Sequence, residues 1–416
     1  MTILLTFLGT GQYETVTYVW HGDEGERSCT TNLFPEAAHA FFAPERVLVC
    51  VTPQARAHDN FRALKERLGE KLHPLDIPGG KTQTELWEIF DRIAAAVGEG
   101  EELILDVTHA FRSLPLVVFA VAAYLRRTKG MTIRHVVYGA YDARDPYRTP
   151  PEPADQAPVF DLTSLLDLLD WLSGAEALLS RNDAALLAEK MERTHNALWR
   201  ERAAEELPRR LKSVAQKLRD LSHALHFSRP RDVMRLASEL MPLLDDARAE
   251  LAQWAKPFAV ITEQVRVELE PLAYAEADVL SRENLRRQLE LIGHYLSKGL
   301  IVQAMTLARE WIVSLLVLRR GEGNWLNRST REEIEKALGA AAARSRGETV
   351  SLPEWFASLP SGEKIGQLWN GLAELRNALA HCAMSWDAPS VQTILAKARD
   401  LPDQLRSLLD PDSDSS

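Results

Sequence analysis

Ile3-Leu4-Leu5-Thr6-Phe7-Leu8 is a short apolar run that breaks at once on Gly9-Thr10-Gly11-Gln12-Tyr13. Six residues without helical periodicity, ended by two glycines, read as a buried strand and its exit turn. The run lacks the basic lead and cleavage site of a secretion signal. Similar runs recur at 46–52, 103–107 and 133–138, each rich in Val, Ile and Leu. Amphipathic helical patterns lie between them at 60–68, 82–97 and 114–127. Strand and helix in alternation predict an α/β domain with a largely parallel sheet covered on both faces, and continuous rather than alternating apolar strands fit that burial.

The alternation stops near residue 150. Four prolines, at 150, 151, 153 and 158, predict a stiff linker or exposed loop over 151–160. Beyond it the periodicity is helical. Helices are expected at 161–179, 184–202, 211–226 and 232–254, with prolines at 208, 230, 242 and 257 between or within them. A last helical group fills 281–409: a helix capped by Ser281 and ended by Gly299, a very apolar one over 300–320, then 332–343, 363–382 and 390–408. The acidic end, 410–416, is expected to be disordered.

Composition narrows the function. Lys and Arg number 49 against 59 Asp and Glu, a net charge of −10, which argues against a surface that coats nucleic acid and leaves room only for a local basic site. Cys29, Cys50 and Cys382 are scattered, with neither metal-ligand spacing nor an even disulfide framework, so a reducing cytoplasm is expected. No run reads as long enough to span a bilayer. His223 and His226 share a helix face but have no further ligands beside them.

In open parallel sheets, ligands bind beyond the carboxyl ends of the strands. Two such ends carry small and polar residues. Gly9, Thr10, Gly11 and Gln12 form the first, where glycine lets backbone N–H groups approach a phosphate or base. The pattern is not a dinucleotide fingerprint, because Thr15 stands where a third glycine would fall. Asp106-Val107-Thr108-His109-Ala110-Phe111-Arg112-Ser113 forms the second. There a hydroxyl, an imidazole, a guanidinium and a helix start converge, while Asp106 reads as a structural carboxylate for the loop. Gly79-Gly80-Lys81-Thr82, just before a helix, offers a third phosphate contact, and Tyr138-Gly139 ends another strand where a base could stack.

A different chemistry is written at the other end of the chain. Arg376-Asn377-Ala378-Leu379-Ala380-His381 places a permanent cation, an amide and a titratable imidazole within about two helical turns. Asn377 and His381, four apart, share a helix face. Arg can hold a phosphate through two bonds and His can move protons near neutral pH, which suffices for metal-free RNA cleavage.

Together the two ends resemble the CRISPR-associated CARF–HEPN proteins of type III systems, in the group named for a DxTHG motif. Phe7-Leu8-Gly9-Thr10-Gly11-Gln12-Tyr13 matches the group's opening and Asp106-Val107-Thr108-His109 its name motif, with Ala110 where the family has Gly. Arg376-Asn377 and His381 match the HEPN pattern of Arg, a polar residue and a later His. The stretch 160–280 carries no such match. The resemblance implies a Rossmann-like CARF domain over 1–150, a helical connection over 161–280 and a HEPN domain over 281–409. It implies a cytoplasmic homodimer or higher oligomer that binds cyclic oligoadenylate across its two-fold axis, tetra-adenylate before hexa-adenylate, with Thr10, Gly11, Thr108, His109 and Arg112 near the ring. The paired HEPN domains would then cut single-stranded RNA without a metal or cofactor, with no membrane and no stable DNA binding. His381 is expected to transfer protons, Arg376 to hold the phosphate and Asn377 to fix geometry. The alternatives are a non-enzymatic sensor that controls a partner, and a ring nuclease that degrades its own activator.

Overall fold

A computed structural model describes residues 1–22, 25–110, 114–144, 150–202, 206–359 and 361–409. The chain forms two compact units, Met1–Asp170 and Trp171–Ser416. Expectations for Phe111, Arg112 and the tail 410–416 lie outside the described residues.

The first unit is one eight-stranded sheet: β1 (Thr2–Leu8), β2 (Val16–Gly22), β3 (Gly25–Thr31), β4 (Arg46–Val51), β5 (Leu72–Asp76), β6 (Glu102–Asp106), β7 (Thr132–Gly139) and β8 (Gln156–Asp161). Its helices are α1 (Phe34–Phe42), α2 (Pro53–Ala57), α3 (Asp59–Leu68), α4 (Gln83–Ala96) and α5 (Leu114–Thr128). The strand order is β3-β2-β8-β7-β6-β1-β4-β5. Strands β5-β4-β1-β6-β7 pair in parallel, a Rossmann-like core. Strand β8 pairs antiparallel to β7, and the β2–β3 hairpin extends the sheet from it. The opening run is buried throughout because β1 is covered on both faces. Ile3, Leu5 and Phe7 pack with Ile89, Ile93, Val118 and Val121 of α4 and α5. Leu4 and Leu8 pack with Phe34, Phe41, Phe61 and Leu64 of α1 and α3.

The linker expected over 151–160 is corrected in its second half, which is strand β8. Pro158 is tolerated because the β7 ladder ends at Val159, while the proline carbonyl accepts from Ala140 N–H at 2.9 Å.

The second unit is helical, and the chain enters it through α6 (Thr163–Arg181), which begins in the first unit. There follow α7 (Ala185–Glu201), α8 (Leu211–His226), α9 (Pro230–Asp246), α10 (Arg248–Trp254) and α11 (Lys256–Leu269). The last group is α12 (Arg282–Ser297), α13 (Ile301–Arg320), α14 (Arg328–Ser345), α15 (Glu354–Ala357), α16 (Gly362–Ala380) and α17 (Val391–Leu409). Ser281 caps α12 as expected, its hydroxyl accepting from Asn284 N–H at 3.0 Å. By length and composition α13 could cross a membrane, which corrects the reading that no run is long enough. Its Trp311, Ile312, Leu315 and Leu316 are instead core residues of this unit, with the Trp311 indole donating to Leu285 O at 2.8 Å.

Packing within the first unit gives a direct test. A Cβ on Gly139 would lie 2.4 Å from Phe34 Cδ2 and 2.9 Å from Tyr18 Cε1. Gly139→Ala is expected to cost about 1–3 kcal/mol through overpacking. Urea denaturation should show a lower midpoint at unchanged slope, and a wild-type midpoint would refute the close approach.

Candidate functional site

Strand β1 is flanked by β4 and β6, so the chain leaves it in both directions and opens a crevice at the carboxyl ends of β1 and β6. Thr6 and Asp106 sit opposite each other there, both fully buried. Thr6 Oγ1 donates to Asp106 Oδ2 at 2.6 Å, and Thr108 N–H donates to Asp106 Oδ1 at 2.8 Å. The Thr108 hydroxyl in turn accepts from Gly139 N–H at 2.8 Å, tying the loop to the end of β7. Asp106 is thus the loop carboxylate that its position suggested. Burial pushes its carboxyl up to about 6 against the opposing pull of the Thr6 and Thr108 hydrogen bonds.

His109 meets the glycine loop. Its ring lies on Tyr13 with centroids 4.0 Å apart, and its Nε2 accepts from Phe34 N–H at 3.2 Å. Phe34 is the first residue of α1, whose N-cap, Leu33, has no capping side chain. His109 therefore satisfies a helix-start donor from a distant loop. An accepting Nε2 is unprotonated, which leaves the hydrogen of the neutral ring on Nδ1. Burial pushes the imidazole down to about 4, so it is uncharged at neutral pH. It offers hydrogen bonds to a ligand rather than a positive charge.

The glycine loop is held by Tyr13 and by Asn60, which the sequence did not single out. Asn60 Nδ2 donates to Gly9 O at 3.2 Å and Gly11 O at 2.9 Å, and Gly9 N–H donates to the Tyr13 hydroxyl at 3.2 Å. Thr10, Gly11 and Gln12 are exposed above it. Ala110 has no positive φ, so an alanine needs no unusual backbone here. Tyr138 is half-buried and Gly139 buried. Lys81 and Thr82 stand apart from this cluster, with no hydrogen bond or ring contact to it among the described residues. Thr82 caps α4, accepting from Glu85 N–H at 3.2 Å, and Glu85 accepts from Lys81 N–H at 2.8 Å. A carboxylate already occupies the place expected for a phosphate.

In the second unit, Arg376, Asn377 and His381 lie at the carboxyl end of α16. Arg376 Nη1 donates to Asn377 Oδ1 at 3.2 Å, and Asn377 O accepts from His381 N–H at 2.9 Å. Arg376 is half-buried, while Asn377 and His381 are exposed. Arg376 has no carboxylate partner among the described residues. Leu372 and Leu375 anchor this turn of the helix in the core. After His381 the chain turns sharply through Cys382 and Ala383, both left-handed (φ 53° and 52°). It then presents Trp386, fully exposed, a residue that pattern reasoning did not flag. Among the described residues no three His, Cys, Asp or Glu side chains converge on a metal-binding arrangement.

Residues 167–271 match the family model described as CRISPR-associated protein MJ1674, second domain. CRISPR-associated protein MJ1674 of Methanocaldococcus jannaschii is 23% identical over 190 residues, covering 43% of this chain. The chain is related to MJ1674. The match spans 26% of that relative's length. The family match falls on α6 to α11, the helices for which the sequence patterns offered no assignment beyond helical. Among solved structures, Enterococcus italicus Csm6 bound to cyclic hexa-2′-fluoro-hexa-dAMP aligns over 99% of this chain and 94% of that chain, at 13% identity and a TM-score of 0.43.

The His109 environment predicts a pH signature. Its pKa, near 4, is below the ordinary 6.5, so its contribution to folding is complete above 6.5 and is lost as pH falls through 4. Asp106 works oppositely: with a pKa raised from 3.8 to about 6, its ionisation costs stability as pH rises across that interval. The His109 ring resonance, assigned by its absence in His109→Gln, should titrate near 4 by NMR. A midpoint at 6.5 or above would refute the buried, accepting imidazole.

Proposed function

We propose that this chain is a metal-independent endoribonuclease of the CARF–HEPN kind, activated by cyclic oligoadenylate in type III CRISPR antiviral defence. The observation that carries this reading is the α16 end, where a guanidinium without a carboxylate partner among the described residues and an exposed imidazole share one helical turn and a half. The relation to a CRISPR-associated protein supports it. On this reading residues 1–150 form the CARF domain, 161–280 the connecting helices and 281–409 the HEPN domain, within the DxTHG group.

One such set is sparse equipment for cutting a phosphodiester. A two-fold homodimer would bring two sets into one cleft. The RNA 2′-hydroxyl attacks the adjacent phosphorus, the bond from phosphorus to the 5′-oxygen breaks, and the leaving oxygen takes a proton. His381 moves the proton, Arg376 stabilises the charge that builds on the non-bridging oxygens, and Asn377 holds the guanidinium through its amide oxygen. The products are a 2′,3′-cyclic phosphate and a 5′-hydroxyl. The activator lies over Gly9, Thr10, Gly11, Gln12, Thr108 and His109, with Ala110, Tyr138 and Gly139 beside them and Phe111 and Arg112 following. Lys81 and Thr82 lie further along the edge. Cyclic tetra-adenylate is the first candidate and hexa-adenylate the second. The ring can act only by favouring the cutting arrangement over the resting one.

Purified protein should degrade single-stranded RNA in EDTA only when the ring is added, leaving cyclic-phosphate ends by mass spectrometry. His381→Ala should lower the rate by roughly 10²–10⁴-fold, the usual span for a general acid or base, while calorimetry still shows ring binding. Undiminished cutting by His381→Ala overturns the assignment. Ring binding by the wild type without any RNA cutting would leave a sensor that controls a partner.

A further inference from the structure

Away from the switch-point crevice, at the edge where β2 and β8 end and β7 begins, the first unit holds a second concavity of about 380 Å³. It arises because β8 stops at Asp161 while β7 starts earlier, at Thr132, and so leaves a gap beside Trp20 and Gly22. A pocket of this size lies in the range of roughly 300–1,000 Å³ usual for small-molecule sites.

Three features of its lining concern a ligand. Trp20 is only 7% exposed, yet its indole N–H has no acceptor among the described residues. The N–H is therefore a donor open to an incoming acceptor. Gly22 keeps that donor open, because a Cβ there would lie 2.4 Å from the indole nitrogen. Arg134, exposed on the same wall, has no ion pair among the described residues. The negative groups nearby are engaged. Asp161 accepts from His135 Nδ1 at 2.9 Å and from Thr163 N–H at 2.8 Å, Glu26 faces His21 at 3.5 Å, and the Phe41 carbonyl at the end of α1 accepts from Arg27. The apolar wall is Phe42, stacked on His135 with centroids 5.0 Å apart.

We propose that this pocket binds a nucleoside monophosphate. The oxyanion meets the Arg134 guanidinium and the Trp20 N–H, the remaining lone pair of Asp161 Oδ2 accepts from a ribose hydroxyl, and the base lies along Phe42. Inorganic phosphate alone would leave most of the volume and the aromatic wall unused. The site is separate from the crevice at β1 and β6, and its occupancy does not depend on whether the chain cuts RNA.

The full-length protein labelled with 5-fluorotryptophan tests this by fluorine NMR. The Trp20 resonance, assigned by its absence in Trp20→Phe, should shift saturably with AMP. Adenosine and inorganic phosphate should each need at least tenfold higher concentration. Arg134→Ala should weaken the AMP response at least tenfold, and Gly22→Ala should abolish it while ring-dependent RNA cutting is retained. Should Gly22→Ala fold poorly, Arg134→Ala, a surface change, decides alone. An unmoved Trp20 resonance, or an equal response to inorganic phosphate, overturns the proposal.

Discussion

The hydrogen bond from the Thr6 hydroxyl to the Asp106 carboxylate is the joint on which the first unit's site depends. It spans adjacent parallel strands at the point where the sheet changes direction. A bond to a charged group contributes roughly 1.5–3 kcal/mol, but its geometric consequence is larger. With one carboxylate oxygen held by β1, the other turns the chain at Thr108, and Thr108 reaches the end of β7. Three strand ends are thereby fixed to one another without a charge facing the crevice. A carboxylate with no exposure would be untenable if its hydrogen-bond partners were lost, so this loop has little freedom to rearrange unless the sheet does too.

His109 extends the same logic. Its ring packs on Tyr13 from the glycine loop and its Nε2 serves α1, so the crevice wall and a helix start share one imidazole. A ligand that draws on His109 therefore acts on a group already coupled to α1. That differs from the α16 end, where the polar side chains answer mainly to one another.

Much of the fold was legible because burial writes itself into composition. Strand β1 is covered on both sides, and its unbroken apolar run says so. The two strand ends carrying small polar residues could be read as convergent, and they do meet, through Thr6, Asp106, Tyr13 and His109. Strand β3 could not be read, since Gly25–Thr31 is largely exposed at an edge and carries no apolar alternation. Strand β8 was hidden by Pro158 and the prolines just before it, which mark loops far more often than ladders. Asn60 left no signal at all: one asparagine near a helix start becomes a clamp on Gly9 and Gly11 only through the fold. The two separate roles of Lys81 and Thr82 also needed coordinates, because the Glu85 carboxylate accepts from the Lys81 N–H while the Glu85 N–H donates to the Thr82 hydroxyl.

The setting of Arg376 bears on why the last turn of α16 is suited to an external anion. Most guanidiniums on this acidic chain have a carboxylate within reach, as Arg309 has Glu335 and Arg331 has Glu310. The acidic residue nearest to Arg376 in sequence is Glu374, which turns instead to Asn370, accepting at 2.9 Å. Among the described residues Arg376 is left with only the neutral amide of Asn377. An amide orients a guanidinium without cancelling its charge, whereas a carboxylate would compete with any phosphate for the same donors. A half-buried cation held this way gives up part of its hydration before an anion arrives, and less of the binding free energy is then lost to desolvation. On the proposed reading, the exposed imidazole of His381 a turn and a half on would supply the proton to a phosphate held there.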